Sequence, residues 1–88
     1  MTHEVTFTTA AAKQISRLPK EARARILDAI ESLGTNPRPP GSTKLVGERT
    51  AWRIRIGDYR VIYDLVESEL TVVVVRAGHR REGYRSHR

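Results

Sequence analysis

The sequence predicts an α+β domain in which two N-terminal helices pack on one face of a mainly antiparallel twisted sheet, in the order β-α-α-β-β-β. Two patterns lead to this class. Apolar residues recur at helical spacing before position 35, and they alternate at strand spacing after position 50. A two-residue turn signal, Gly57-Asp58, then divides the second half into neighbouring strands.

The N-terminal third carries one short strand and both helices. His3 to Thr8 alternates apolar and polar residues, which is typical of a strand. Thr8 or Thr9 can cap the first helix, and Pro19 separates it from the second. Apolar side chains of the second helix recur at spacings of four, four and three, and form a core-facing stripe: Ala22, Ile26, Ile30 and Leu33.

The rest of the chain is a connection, three strands and a tail. Positions 35–50 carry three prolines and two glycines, so we expect an irregular connection with a short strand near Lys44 to Val46. The strands are predicted at Ala51 to Ile56, Tyr59 to Val66 and Leu70 to Val75. The last is rich in valine and is expected at the centre of the sheet. Positions 76–88 are predicted to form a basic C-terminal tail.

The composition limits the class of protein. Eighty-eight residues make a single domain, residues 1–88, and the net charge of +6 predicts an anionic partner. Cysteine is absent, which excludes a disulfide framework and a thiolate zinc site. The three histidines lack metal-ligand spacing, and neither a signal peptide nor a membrane-spanning run is evident. We therefore expect a cytoplasmic protein with no metal, no cofactor and no membrane partner.

The Gly57-Asp58 turn fixes how the flanking strands pair. Arg55 then faces Arg60, and Arg53 faces Ile62, on one side of the sheet. The other side is the core face: Trp52, Ile54, Ile56, Tyr59, Val61 and Tyr63. Like charges directly opposed across two strands are destabilising, and an anion bound between them would relieve the repulsion. Alternatively, the guanidinium groups extend into water or pair with acids: Asp58, Asp64 or Glu69.

The tail is a second block of positive charge. It holds five arginines and one acid, for a net charge of +4. If the third strand returns through Glu67-Ser68, its end lies beside Arg60, and the tail can approach the arginines of the hairpin. Candidate contact residues there are Arg76, His79, Arg80, Arg81, Tyr84 and Arg85. The alternative is a solvated basic terminus.

These residue types suit a metal-free reaction at an RNA phosphate. Arginine binds phosphate through paired hydrogen bonds and stabilises the charge that develops in the transition state. Histidine transfers protons at neutral pH, and tyrosine stacks on a base. The hypothesis is therefore cleavage of RNA with its own 2′-OH as the nucleophile. No nucleophile elbow, P-loop or dinucleotide-binding motif indicates another chemistry.

Three segments together resemble the RelE/ParE superfamily of toxins from type II toxin–antitoxin systems, and most of all its RelE branch. They run from Lys44 to Gly47, from Trp52 to Tyr63 and from Gly78 to Arg85. The resemblance implies a RelE-like microbial RNase fold and cleavage of mRNA in the ribosomal A site, with contacts to 16S rRNA. It also implies a cognate antitoxin that blocks the site or remodels the tail.

The resemblance implies roles for individual residues as well. Arg60 aligns with a phosphate-binding arginine, Arg80 with an arginine that assists the leaving group, and Tyr84 with a tyrosine that stacks on or orients the nucleotide. Further contacts to the substrate are expected from basic residues in the matching segments: Lys44, Arg53, Arg55, Arg81 and Arg85.

Two positions depart from the family pattern. Arg53 and Arg55 stand where some members carry two lysines, one of them proposed as the general base. Arginine stays protonated, so neither residue is expected to accept a proton. We assign the base to His79 and electrostatic stabilisation to the two arginines. The alternative for His79 is a turn residue that is bonded to nearby backbone.

Two other functions stay open on the sequence alone. A ParE-like toxin has the same fold but inhibits DNA gyrase through protein contacts, and it needs no proton-transfer residue. A nucleic-acid-binding module without catalysis would show salt-sensitive affinity for RNA and no product.

Overall fold

The computed structural model describes residues 2–79, which form two helices and a five-stranded sheet. The helices are α1 (Thr9–Ser16) and α2 (Lys20–Ser32). The strands are β1 (Glu4–Phe7), β2 (Thr43–Lys44), β3 (Ala51–Ile56), β4 (Tyr59–Val66) and β5 (Thr71–His79). A single 3-10 turn, Glu67–Glu69, joins the last two strands. The predicted fold class is confirmed.

The strands lie in the order β1-β5-β4-β3-β2. The first strand of the chain borders the last and runs parallel to it, with Val5 beside Val72. All other neighbouring pairs are antiparallel. The valine-rich strand β5 is therefore central, as predicted, but it continues to His79. The predicted start of the tail at position 76 is wrong, because Arg76 to His79 belong to the sheet.

Both helices begin and pack as their sequences predict. The Thr8 side chain caps α1 by accepting a hydrogen bond from the backbone N–H of Ala11 at 3.1 Å. Pro19 directly precedes α2. Helix α1 lies against β5 and α2 against β3. The predicted stripe of α2 is buried: Ala22, Ile26, Ile30 and Leu33.

The helix-covered side of the sheet holds the core. Val61, Tyr63, Val72 and Val74 are fully buried there, and Ile54 is nearly so. The remaining residues of the predicted core face of the hairpin pack around them, half-buried: Trp52, Ile56 and Tyr59. Since alternation puts the intervening side chains on the opposite side, the arginines of the hairpin lie away from the helices.

Side-chain contacts hold the long connection against the end of the sheet that is remote from the Gly57 turn. The Tyr63 hydroxyl donates a 2.6 Å hydrogen bond to the Pro37 carbonyl oxygen. Burial raises the pKa of Tyr63 from 10.0 to about 12. Arg38 forms an ion pair with Glu67, and its guanidinium carbon lies 5.6 Å from the centre of the Trp52 ring. Neither helix in residues 2–79 is long and apolar enough to cross a membrane.

Candidate functional site

The β3–β4 hairpin places three arginines on the sheet side opposite the helices. Arg55 pairs with Arg60 and Arg53 pairs with Ile62, which confirms the predicted register. Gly57 takes the first turn position with a φ of +61°, a conformation that glycine adopts without the strain a Cβ would add. The turn therefore sets which side chains of the two strands meet.

A bulge in β5 adds a fourth arginine. The pairing of β4 with β5 shifts between Ile62 and Tyr63, so that Tyr63 pairs with Val74 whereas Ile62 pairs with Arg76. Val75 is the extra residue of the bulge. Strict alternation from the buried Val74 would turn Arg76 into the core, and the bulge turns it outward instead. We call the resulting surface the arginine face: Arg53, Arg55, Arg60, Arg76 and the Ile62 between them.

Thr8 and Gln14 form hydrogen bonds with backbone groups of the bulge and of the strand just after it. The Thr8 backbone N–H donates to the carbonyl oxygen of Val74 at 2.9 Å, and its hydroxyl donates to that of Val75 at 3.2 Å. Where β5 continues beyond the end of β1, Gln14 Oε1 accepts a 2.8 Å hydrogen bond from the backbone N–H of Ala77. Because these contacts replace ladder hydrogen bonds, the bulge leaves these backbone groups paired.

The same bulge moves His79 to the other side of the sheet. His79 pairs with Tyr59, whose side chain is on the helix-covered side, and the two rings meet edge to face with centroids 5.6 Å apart. Its neighbour Gly78 pairs with Arg60. His79 thus lies at the end of the sheet next to the hairpin turn, with its backbone near Arg60 and its ring beside Tyr59.

Three cations of the arginine face form no ion pair within residues 2–79. These are Arg53, Arg55 and Arg76, since the ion pairs found in that part of the chain involve Glu67, which lies beyond the remote end of β4. Asp64 does lie on the same side of the sheet, but it accepts a 2.9 Å hydrogen bond from the Thr50 hydroxyl. The clustered positive charge favours an anionic ligand.

Among the other predicted site residues that the structure describes, Lys44 is not brought to this surface. Lys44 pairs with Trp52, so its register places it on the opposite side from Arg53. Four residues lie outside the part of the chain that the structure describes: Arg80, Arg81, Tyr84 and Arg85. Within residues 2–79, no group of three or more histidine, aspartate or glutamate side chains could hold a metal ion.

The arginine face can bind phosphate but cannot take up a proton. Guanidinium groups donate paired hydrogen bonds to phosphate oxygens and stay protonated. Asp64 is four residues from Arg60 along β4, about 13 Å, which is too far for it to act on a group that Arg60 holds. The face therefore supplies binding and charge stabilisation, and a proton acceptor has to come from outside it.

Arg76 is the member of the arginine face that the sequence prediction assigned to the tail. A signal for it was present in the chain. It follows Val72 and Val74 at even spacing, and an unbroken strand would have placed a charged side chain in the core. Such a conflict between alternation and charge indicates either the end of a strand or a bulge, and here it is a bulge.

Comparisons with known proteins lead to one superfamily. A family model described as the ParE toxin of the type II toxin–antitoxin system parDE matches residues 5–84. The toxin RelG of Mycobacterium tuberculosis is 33% identical over 97% of this chain and 99% of its own length. The RelE–RelB complex of Pyrococcus horikoshii has a TM-score of 0.80 at 29% identity, over 91% of this chain and 97% of that chain. The RelBE2 complex of M. tuberculosis has a TM-score of 0.79 at 28% identity, over 90% and 92%.

The fold, the arginine face and these matches define a toxin of the type II toxin–antitoxin class. The chain belongs to the RelE/ParE superfamily of such toxins. The resemblance of the three sequence segments is thereby confirmed, and it extends over nearly the whole chain.

Proposed function

We propose that this toxin is a ribosome-dependent mRNA endonuclease that cleaves in the A site without a metal. The observation that carries the proposal is the direct opposition of Arg55 and Arg60, with Arg53 and Arg76 on the same side of the sheet. This cluster fits a phosphodiester better than a neutral ligand. Two RelE toxins solved with RelB have the same fold at 28% and 29% identity, which supports the assignment to this branch.

The proposed reaction is an internal transfer at phosphorus. The 2′-OH of the upstream nucleotide attacks the adjacent phosphorus as its proton is removed, the bond to the 5′ oxygen breaks, and that oxygen takes up a proton. The products are a 2′,3′-cyclic phosphate and a 5′-hydroxyl. Arg55 and Arg60 offset the charge that develops on the phosphate oxygens, with Arg53 nearby.

The remaining roles belong to the end of β5 and the segment that follows it. His79 is the proposed base. Its ring lies beside Tyr59 on the other side of the sheet from Arg60, so the substrate has to reach it around the end of the sheet next to the hairpin turn. Arg80 assists the leaving oxygen and Tyr84 stacks on the substrate base. Arg81 and Arg85 add contacts to mRNA or 16S rRNA.

A cognate antitoxin is the proposed protein partner. The M. tuberculosis and P. horikoshii complexes described above each contain a toxin of this fold together with its antitoxin. A toxin that acts on translating ribosomes and is held by such a partner belongs in the cytoplasm. An acidic antitoxin segment would complement the net charge of +6 and compete with RNA for the arginine face.

Purified toxin added to programmed ribosomes tests the proposal. Mapping of mRNA 5′ ends should locate cuts in the A-site codon, and a 2′-deoxy nucleotide immediately upstream of the scissile phosphate should abolish them. Cleavage should persist when EDTA removes trace transition metals and magnesium in excess over the EDTA keeps the ribosomes intact. Arg60→Ala should lose roughly 10²-fold or more in rate. Arg49→Ala, which removes an exposed cation from the connection, should stay near wild type.

Inhibition of DNA gyrase is the second candidate, because the matching family model is described as a ParE toxin. Such activity depends on protein contacts and not on phosphate chemistry. A supercoiling assay with purified gyrase separates the two. Inhibition that survives the double change Arg55→Ala and Arg60→Ala, with no cut in ribosome-bound mRNA, would establish the second candidate and exclude the first.

A further inference from the structure

We propose that Arg76 is an additional RNA-binding residue, which holds the phosphate next to the one bound between Arg55 and Arg60. The inference rests on the proposed function, because it assigns a second phosphate subsite to the same RNA. It concerns affinity for the substrate and not the chemical step.

The register of the sheet arranges the arginines in two rows across three strands. One row runs Arg55, Arg60 and Gly78, and the next runs Arg53, Ile62 and Arg76. Neighbouring strands are about 4.8 Å apart, so Arg53 and Arg76 stand about 10 Å apart on either side of Ile62. The rows are two residues apart along the strands, about 6.6 Å. Each row can therefore hold its own phosphate of an RNA chain that runs along the strands.

The bulge is the feature that puts Arg76 into its row. A regular strand would have directed this residue toward the helices, and the extra residue Val75 reverses that direction. Bulges next to functional sites commonly redirect a side chain in this way. Thr8 and Gln14 hold the bulge from behind, so the outward direction of Arg76 is built into the fold.

No structural task within residues 2–79 accounts for the Arg76 guanidinium. It forms no ion pair with another described residue, and no acid stands in its row. Its side chain is half-buried, so part of its desolvation has already occurred in the folded protein. A charged group in that state gains strongly from an oppositely charged ligand.

The ligand chemistry is that of a phosphodiester and not of a base. Ile62 between the two cations of the row has no hydrogen-bonding side-chain atom, and Gly78 in the next row has no side chain at all. Arg53 and Arg76 can therefore bind the RNA backbone without distinguishing one base from another. Arg76 should contribute to every substrate equally.

Single-turnover cleavage on programmed ribosomes tests Arg76 directly. Arg76→Ala should raise the half-saturating toxin concentration about 10-fold, the loss of one charge-assisted hydrogen bond, and leave the rate at saturation within about 3-fold of wild type. Arg76→Lys, which keeps the charge, should recover part of the affinity. Arg49→Ala is the matched control, because it also removes one cation but at a position away from the arginine face. Thermal melting of each variant checks that the fold is intact.

Neutral methylphosphonate linkages in a synthetic mRNA locate the phosphate. The 10-fold effect of Arg76→Ala should disappear when the linkage adjoining the scissile phosphate on one side is neutral, and it should persist for neutral linkages farther away. If the wild type cleaves and Arg76→Ala has the same half-saturating concentration as the wild type, the inference is wrong and the proposed function stands. Absence of cleavage by the wild type would instead refute the proposed function, and this subsite with it.

Discussion

Arg55 lies directly opposite Arg60 across the β3–β4 hairpin, in the register that the Gly57-Asp58 turn imposes. Side chains paired in this way on neighbouring strands are close enough to interact, and like charges there destabilise the sheet. The pair is therefore expected to lower the stability of the sheet when no anion lies between the two guanidinium groups. An anion between the two arginines reverses the sign of the interaction, which ties the stability of the sheet to occupancy of the site.

Replacement of Arg55 by threonine should make the isolated protein more stable. Arg55→Thr removes the repulsion and introduces a residue that favours strands, for an expected gain of about 0.5 kcal/mol in the free energy of unfolding. Urea unfolding measures it. The matched change Arg49→Thr removes an exposed cation of the connection and should have a smaller effect. A loss of stability in Arg55→Thr would mean that the paired arginines support the fold.

The hairpin was predictable from sequence because its information is local. Two turn residues and the alternation around them determine the partner of every side chain from Trp52 to Tyr63, and the core face and the arginine pair follow from that. The helical stripe of α2 was predictable for the same reason. Each of these features depends on residues that are near one another in the chain.

The end of β5 was not predictable in the same way. Its bulge is satisfied by Thr8 and Gln14, which are more than 60 positions away in the chain, at sequence separations of 67 and 63 residues. Local alternation cannot reveal such contacts, yet they decide that Arg76 joins the arginines and that His79 faces Tyr59. The extra residue Val75 thus places Arg76 on the arginine face and His79 on the helix-covered side, each opposite to the side that an unbroken strand would give it.

Gln14 should be needed to keep the bulge in place. Gln14→Ala leaves the backbone N–H of Ala77 without its acceptor, and a buried unpaired donor costs about 1–3 kcal/mol. Gln14→Glu keeps an acceptor oxygen at this position and should lose much less. Urea unfolding of both variants gives the stabilities, and amide hydrogen exchange at Ala77 should accelerate in Gln14→Ala alone. Equal stability of the two variants would show that this hydrogen bond is dispensable.

The buried hydroxyl of Tyr63 should make the protein sensitive to alkali. Burial raises the pKa of Tyr63 in the folded state from 10.0 to about 12. The unfolded chain therefore ionises first as the pH rises, so the stabilisation is complete below pH 10 and is lost between pH 10 and about 12. Two pKa units correspond to at most about 2.7 kcal/mol.

Tyr63→Phe isolates this contribution. At neutral pH it should lose about 1 kcal/mol, because the hydrogen bond to the Pro37 carbonyl oxygen is gone. Its stability should then fall less steeply than that of the wild type between pH 10 and 12. Subtracting the unfolding free energies of the two proteins at each pH removes the contribution of the lysines, because both proteins share them. Parallel pH dependence would rule out Tyr63 as the source of the alkaline sensitivity.

His79 separates a catalytic role from a packing role most sharply. If His79 is the base that removes the 2′-OH proton, His79→Ala should lower the single-turnover rate roughly 10²–10⁴-fold, and added imidazole should restore part of the loss. If His79 only packs against Tyr59, His79→Ala should lower the melting temperature and leave the cleavage rate unchanged. Tyr59→Leu is the matched control, since it removes the same ring contact and leaves the imidazole in place. A near-normal rate in His79→Ala would refute the assignment of His79 as the base.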